Sequence, residues 1–161
     1  MITYRPATTS DTPQILALLD EIMRHHGVTP PDSAHLSATV SAILTAPDHL
    51  LLVADSEGRL VGMCALIFSL STWSAGPVCE LQDVLVTQEQ RRSDVGRNLI
   101  NSAEQIARSR GCSRLFLLAE AWNLDAHAFY RDLDLAEKTC LYFERDLGDP
   151  RHPRDPRSNL P

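Results

Sequence analysis

The chain has 161 residues, 43% of them hydrophobic and 22% charged, with a formal net charge of -6. That length supports one domain with a substantial core, and the acidic balance argues against general nucleic-acid binding, which needs a basic face. No apolar run reaches the roughly 18 residues of a membrane span, and MITYRPATTSD lacks the basic-then-apolar order of a secretory signal, so a cytoplasmic location is expected.

Residues 2 to 6 form a short strand. A helix is predicted from Asp11 to His25, with Ile15, Leu18, Leu19, Ile22 and Met23 at helical spacing and Pro13 suited to the first turn. The Gly27 to Pro31 break ends it, and a second helix covers Ser33 to Thr45. Two strands follow, His49 to Ala54 and Leu60 to Leu70, joined by the glycine- and acid-bearing turn Asp55 to Arg59. After the loop Ser71 to Pro77 comes a strand from Val78 to Val86. The helix Ser93 to Arg110 presents Val95, Leu99, Ala103, Ile106 and Ala107 on one face, and Gly111 stands just past its end. Leu115 to Leu118 reads as a strand buried on both faces, Asp125 to Leu133 as a helix, and Thr139 to Arg145 as the strand that closes the sheet. Early antiparallel strands followed by a strand-helix-strand unit give an α/β sandwich around a mixed, mostly antiparallel sheet. The domain runs from 1 to 147. Residues 148 to 161, with four prolines and almost no apolar side chain, read as a Pro/Arg-rich disordered tail.

Cys64, Cys79, Cys112 and Cys140 are widely spaced without a C-x-x-C pair, so no metal site is expected. Cys64 and Cys140 lie in apolar, strand-like segments and are expected to be buried.

The chemistry concentrates between Cys79 and Ile100. There an apolar strand feeds a helix through a turn carrying Arg91, Arg92 and Arg97. A helix N-terminus presents unpaired amides and favours anions, and the arginines add charge where a pyrophosphate would sit. The run Arg91-Arg92-Ser93-Asp94-Val95-Gly96, preceded by Glu80, Asp83 and Val86, resembles the acyl-CoA-binding motif of the GNAT superfamily of N-acetyltransferases. Arg5-Pro6-Ala7 with Asp11 is similar to that family's opening, and Asn123, Ala126, Phe129 and Tyr130 to its Asn-x-x-Ala-x-x-Phe-Tyr helix signature. Three motifs in the family's order cover residues 1 to 147.

The resemblance implies a sheet whose fourth and fifth strands splay apart to make a slot for acetyl-CoA, the cosubstrate. It implies acetyl transfer to a small-molecule or peptide amine, by direct attack without a covalent acyl-enzyme. An alkylammonium with a pKa of about 10.4 must first lose a proton. Glu80 is the leading base, or else a solvent-facing strand charge, with Asp83 in reserve. Strict alternation puts Glu80, Gln82 and Val84 on one face, unless a bulge intervenes. Tyr130 resembles the family's acid for the departing thiolate, or is a core aromatic. The backbone of Val84, Leu85 and Val86 would pair with the pantetheine amides, and the amides from Arg91, Arg92, Ser93, Asp94, Val95, Gly96 and Arg97 would cradle the pyrophosphate. Asn123 would contact the pantetheine arm, cap its helix, or both.

The chain departs from the family at Arg92 and Asp94, where glycines are usual, and at Asp134 and Leu135, where Gly and an aromatic are usual. An aspartate beside a pyrophosphate is repulsive unless turned away or paired with Arg91 or Arg97. His25, His26, Trp73, Glu120 and Trp122 are the candidates for shaping an acceptor pocket, where aromatic and acidic groups would suit an amine. A CoA-binding module without catalysis is the rival reading. The family is often dimeric, so a homodimer is an expectation that the residues themselves leave open.

Overall fold

The computed structural model describes residues 1 to 145 and 147. The expected tail, 148 to 161, lies outside the described residues. The chain forms two compact units, Met1–Leu118 and Ala119 onward.

The first unit carries one five-stranded sheet in sequential order. Its strands are β1 (Ile2–Pro6), β2 (His49–Ser56), β3 (Arg59–Ser71), β4 (Gly76–Val86) and β5 (Leu115–Leu117). The pairs β1–β2, β2–β3 and β3–β4 are antiparallel, and β4–β5 is parallel. Three helices belong to this unit: α1 (Thr12–His25), α2 (Ser33–Thr45) and α3 (Val95–Ser109). A fourth, α4 (Leu124–Arg131), lies in the second unit. Among the described residues no helix is long and apolar enough to cross a membrane.

Alternation along the central strands sorts the core into two layers. Leu51, Val53, Met63, Ala65 and Leu85 join Ile15, Leu18, Leu19 and Val40 of α1 and α2 in one buried cluster. Leu52, Cys64, Leu66 and Leu81 point to the opposite face, as register and period two require. On that face α3 packs against β3 and β4 with Val95, Leu99, Ile100, Ala103 and Ala107 buried. Each fully buried leucine contributes roughly 1.5–3 kcal/mol, so packing, more than intrinsic propensity, holds a short helix such as α3 in place.

Local chemistry sets the ends. Asp32 accepts from the amides of Ala34 (3.1 Å) and His35 (3.3 Å) to start α2. Arg5 ties β1 to the turn before α1, its Nη1 and Nη2 reaching the two Asp11 oxygens at 2.8 and 2.9 Å. Its Nη2 also reaches Asp55 on β2 at 2.8 Å. The opening motif is therefore a staple between elements.

Three expectations need correction. Residues 139 to 145 form no strand, and Leu141, Tyr142 and Phe143 are 80%, 73% and 85% exposed. Their residue types suit a strand, but a strand exists only through a ladder partner, and none is supplied among the described residues. Cys140, in the same segment, is exposed. β5 is half-buried and Leu118 is exposed, because among the described residues β5 is the edge of the sheet and pairs with β4 alone.

Candidate active site

The site begins with a bulge in β4. Register runs Met63↔Leu85 and then Ala65↔Gln82, so Cys64 faces two residues, Asp83 and Val84. Asp83 takes φ 49°, a left-handed conformation that aspartate tolerates better than most side chains. The strands close tightly just beyond it. A Cβ on Gly62 would stand 2.9 Å from the Leu85 carbonyl oxygen, which accounts for a glycine inside β3.

The extra residue inverts the facing of everything after it. Glu80 pairs with Ile67 and Gln82 with Ala65, so both point toward the α1/α2 side; past the bulge it is Leu85, opposite Met63, that points there. Val84 therefore does not share Glu80's face as plain alternation implies. Glu80 is half-buried, and its Oε1 accepts from Gln82 Nε2 at 2.9 Å. The Asp83 carboxyl still reaches solvent, yet enough protein surrounds it for desolvation to raise its pKa above the ordinary carboxylate value. Two carboxylates thus stand three residues apart in different settings.

Beyond the bulge no described strand pairs with the outer edge of β4. β5 pairs only with Cys79, Glu80 and Leu81, so the strands part company from Gln82 onward. The Thr87 amide donates to the Val61 oxygen at 3.0 Å, which directs the N–H and C=O of the preceding Val86 away from β3. In keeping with that, the Val86 oxygen accepts from Arg91 Nε at 3.3 Å. Leu85 turns its main chain to β3 and buries its side chain, whereas the main chain of Val86 faces away from β3. The Thr87 hydroxyl is buried and has no hydrogen-bond partner among the described residues.

A short 3-10 turn, Gln88–Gln90, leads to the arginine turn. Arg92 takes φ 62°, the left-handed position for which glycine is the easy choice. Ser93 turns back, its hydroxyl donating to the Gln90 oxygen at 2.5 Å, which is why α3 starts at Val95 and not at Ser93. Asp94 has φ -75° and ψ 4°, so this position needs no glycine for its backbone. Its carboxylate, 86% exposed, turns outward with Arg97 Nε at 4.0 Å. The first amides of α3 are the ones a helix leaves without internal partners.

In the second unit Asn123 caps α4, its Oδ1 accepting from the Ala126 amide at 3.2 Å. Tyr130 sits on α4 beside Phe129, ring centroids 5.2 Å apart. Asp134 holds φ 59° while the Leu135 amide reaches the Tyr130 oxygen at 3.1 Å, so the helix end forms without the family's glycine. His127 Nε2 lies 2.9 Å from the Glu120 oxygen, and Trp122 is exposed. Among the other acceptor candidates, His25 and His26 pack edge to face at the end of α1 and Trp73 is 98% exposed in the β3–β4 turn. Burial pushes the Cys64 thiol up to about 12 and the Cys79 thiol up to about 11, so neither supplies a thiolate nucleophile at neutral pH.

A bulged β4 thus leads through an arginine-bearing turn to the N-terminus of α3. The acetyltransferase (GNAT) family model matches residues 14–134. The aminoalkylphosphonate N-acetyltransferase of Salmonella typhimurium is 29% identical over 126 residues, 78% of this chain and 79% of that one. The thialysine N-epsilon-acetyltransferase of Bos taurus is 29% identical over 160 residues, 89% and 92% of the two chains. A solved aminoglycoside acetyltransferase from an uncultured soil metagenomic sample shares the fold, with TM-score 0.77, 23% identity and coverage of 91% and 96%. The chain belongs to the GNAT family and is an N-acetyltransferase.

Proposed function

We propose that the protein uses acetyl-CoA to acetylate a small-molecule amine, with Glu80 as base and Tyr130 as acid. The outer edge of β4 beyond the bulge, paired with no described strand, carries this reading. The outward Val86 carbonyl, now held by Arg91, is suited to the pantetheine amides. The turn from Arg91 to Gly96 stands at the start of α3, with Arg91, Arg92 and Arg97 around it to balance a pyrophosphate. Asp94 is compatible with that cradle because it faces outward and is paired with Arg97. Acetyl-CoA would supply the activated acetyl group as a thioester.

The protein's part is then proton handling and orientation. The ammonium gives a proton to the Glu80 carboxylate, whose free oxygen is not the one Gln82 engages. With acetyl-CoA bound, the amine nitrogen would attack the thioester carbon and the C–S bond would break. The Tyr130 hydroxyl would give its proton to the departing sulfur, and the second nitrogen proton, released as the amide forms, would restore the phenol. A backbone amide at the bulge, outside the regular ladder, would meet the charge that grows on the carbonyl oxygen. The relatives named for aminoalkylphosphonate and thialysine support a small acceptor. Thermal stabilisation by acetyl-CoA followed by thiol release across an amine panel tests the reading. No stabilisation at millimolar cosubstrate refutes it, and stabilisation without thiol release favours a binding module.

A further inference from the structure

One row of side chains crosses the sheet on Glu80's face. His49, Ile67, Glu80 and Phe116 are in register across β2, β3, β4 and β5, and all four are half-buried. They continue the face occupied by Leu51, Ala65 and Leu85, past the reach of the α1/α2 cluster. Phe116 is therefore the immediate β5 neighbour of Glu80. Its ring carries a cation, because the Arg114 guanidinium carbon lies 4.8 Å from the ring centroid. Arg114 is anchored at the backbone, where its oxygen accepts from the Cys79 amide at 2.9 Å. No acid among the described residues lies within ion-pair distance of its side chain, and Glu80 is engaged with Gln82 instead. The other such pair, Arg110 over Phe68, differs: its Nη1 donates to the Pro47 oxygen at 3.2 Å and holds the connection before β2.

Adjacent strands lie ~4.8 Å apart and residues two steps along a strand ~6.6 Å, so Glu80 and Arg114 have Cα atoms about 8 Å apart. The Arg114 guanidinium lies over Phe116, the residue that pairs with Glu80. An acid and a planar, bidentate cation on one face, separated by an aromatic floor, match a short molecule with an amine at one end and an anion at the other.

We propose that the acceptor is a small zwitterionic amine whose carboxylate or phosphonate is held by Arg114 over Phe116 while its amine addresses Glu80. This rests on the transferase reading above. Arg114 is thus a specificity residue for the acceptor, with no part in proton transfer.

The test compares thiol release with anion-bearing amines (aminoethylphosphonate, β-alanine) and with neutral-tailed ones (ethanolamine, propylamine), in the wild type, Arg114→Gln and Arg114→Lys. The expected wild-type preference for the anion-bearing set is about tenfold to a hundredfold in kcat/KM, the range of one charge-assisted contact. Arg114→Gln should collapse that ratio through KM, and Arg114→Lys should restore part of it. A purely structural role for Arg114 would move both sets together and leave the ratio intact. Equal use of the two sets by the wild type, or a ratio unchanged in Arg114→Gln, overturns the inference while the transferase reading stands. No thiol release from any amine overturns both.

Discussion

Arg5→Met tests how the opening motif works. In the native chain the guanidinium contacts both Asp11 oxygens, and its Nε and Nη2 reach Asp55 Oδ2 at 3.1 and 2.8 Å. The Asp11 side chain is only 7% exposed, so removing Arg5 leaves a buried carboxylate supported by the Thr8 amide (2.7 Å) and hydroxyl (3.0 Å) alone. Breaking a buried pair costs about 3–5 kcal/mol, and Arg5 is itself a third exposed, which places the loss near the lower end. For a chain of this size that corresponds to a fall in Tm of roughly 6–12 °C. The sign of the pH effect is fixed as well. Arg5 holds the Asp11 carboxyl well below the usual carboxylate range, so its stabilisation is complete above the unfolded pKa and lost as pH falls through the folded one. In the variant, desolvation acts without the counter-ion and raises that pKa, so acid protonates Asp11 in the folded state and relieves the strain. Urea unfolding at neutral pH and at about pH 4 should show the gap between wild type and variant narrowing. A loss under about 1 kcal/mol at neutral pH, or a gap that widens in acid, would refute the reasoning.

Glu80→Gln should lower kcat/KM for the amine by about 10²–10⁴-fold with acetyl-CoA affinity unchanged; an equal fall in cosubstrate affinity would mark Glu80 as structural. Tyr130→Phe should reduce kcat and leave the KM for acetyl-CoA alone, and unaltered single-turnover rates would remove Tyr130 from the chemistry. Asp94→Gly should tighten acetyl-CoA binding a few-fold by calorimetry, because it removes a negative charge at the cradle while Arg97 remains; weaker binding would contradict that electrostatic account. Gly62→Ala should cost about 1–3 kcal/mol, since the new Cβ meets a backbone oxygen at 2.9 Å that cannot swing aside. An unchanged Tm would mean that β3 and β4 part more easily than their register implies.

The strand-helix junction was legible because its signals are local. The run Arg91 to Gly96 after an apolar strand marks a strand-helix junction, and Pro13 and Gly111 punctuate their helices. α2 lies over Ser33–Thr45, as its spacing predicts. The close approach at Gly62 emerged only from strand pairing, because nothing near it in sequence names Leu85 as the residue approached. Other features were hidden because they depend on distant residues. Thr139 to Arg145 has strand-forming side chains but no ladder, and Cys140 is exposed with it. Arg92, and not Asp94, occupies the left-handed turn position, a distinction that residue type alone does not make.

The sequence by itself determined the family, the order of the elements as far as α4 and the residue types available for acid-base work, because periodicity, caps and motif spacing are carried by neighbours along the chain. Tertiary pairing alone decided which face each group serves. A single extra residue at Asp83 turns Leu85 to Glu80's side of the sheet, and only cross-strand register sets Phe116 beside that acid. Side-chain direction in a strand has period two, so one bulge reverses it, and a bulge is a property of two strands together.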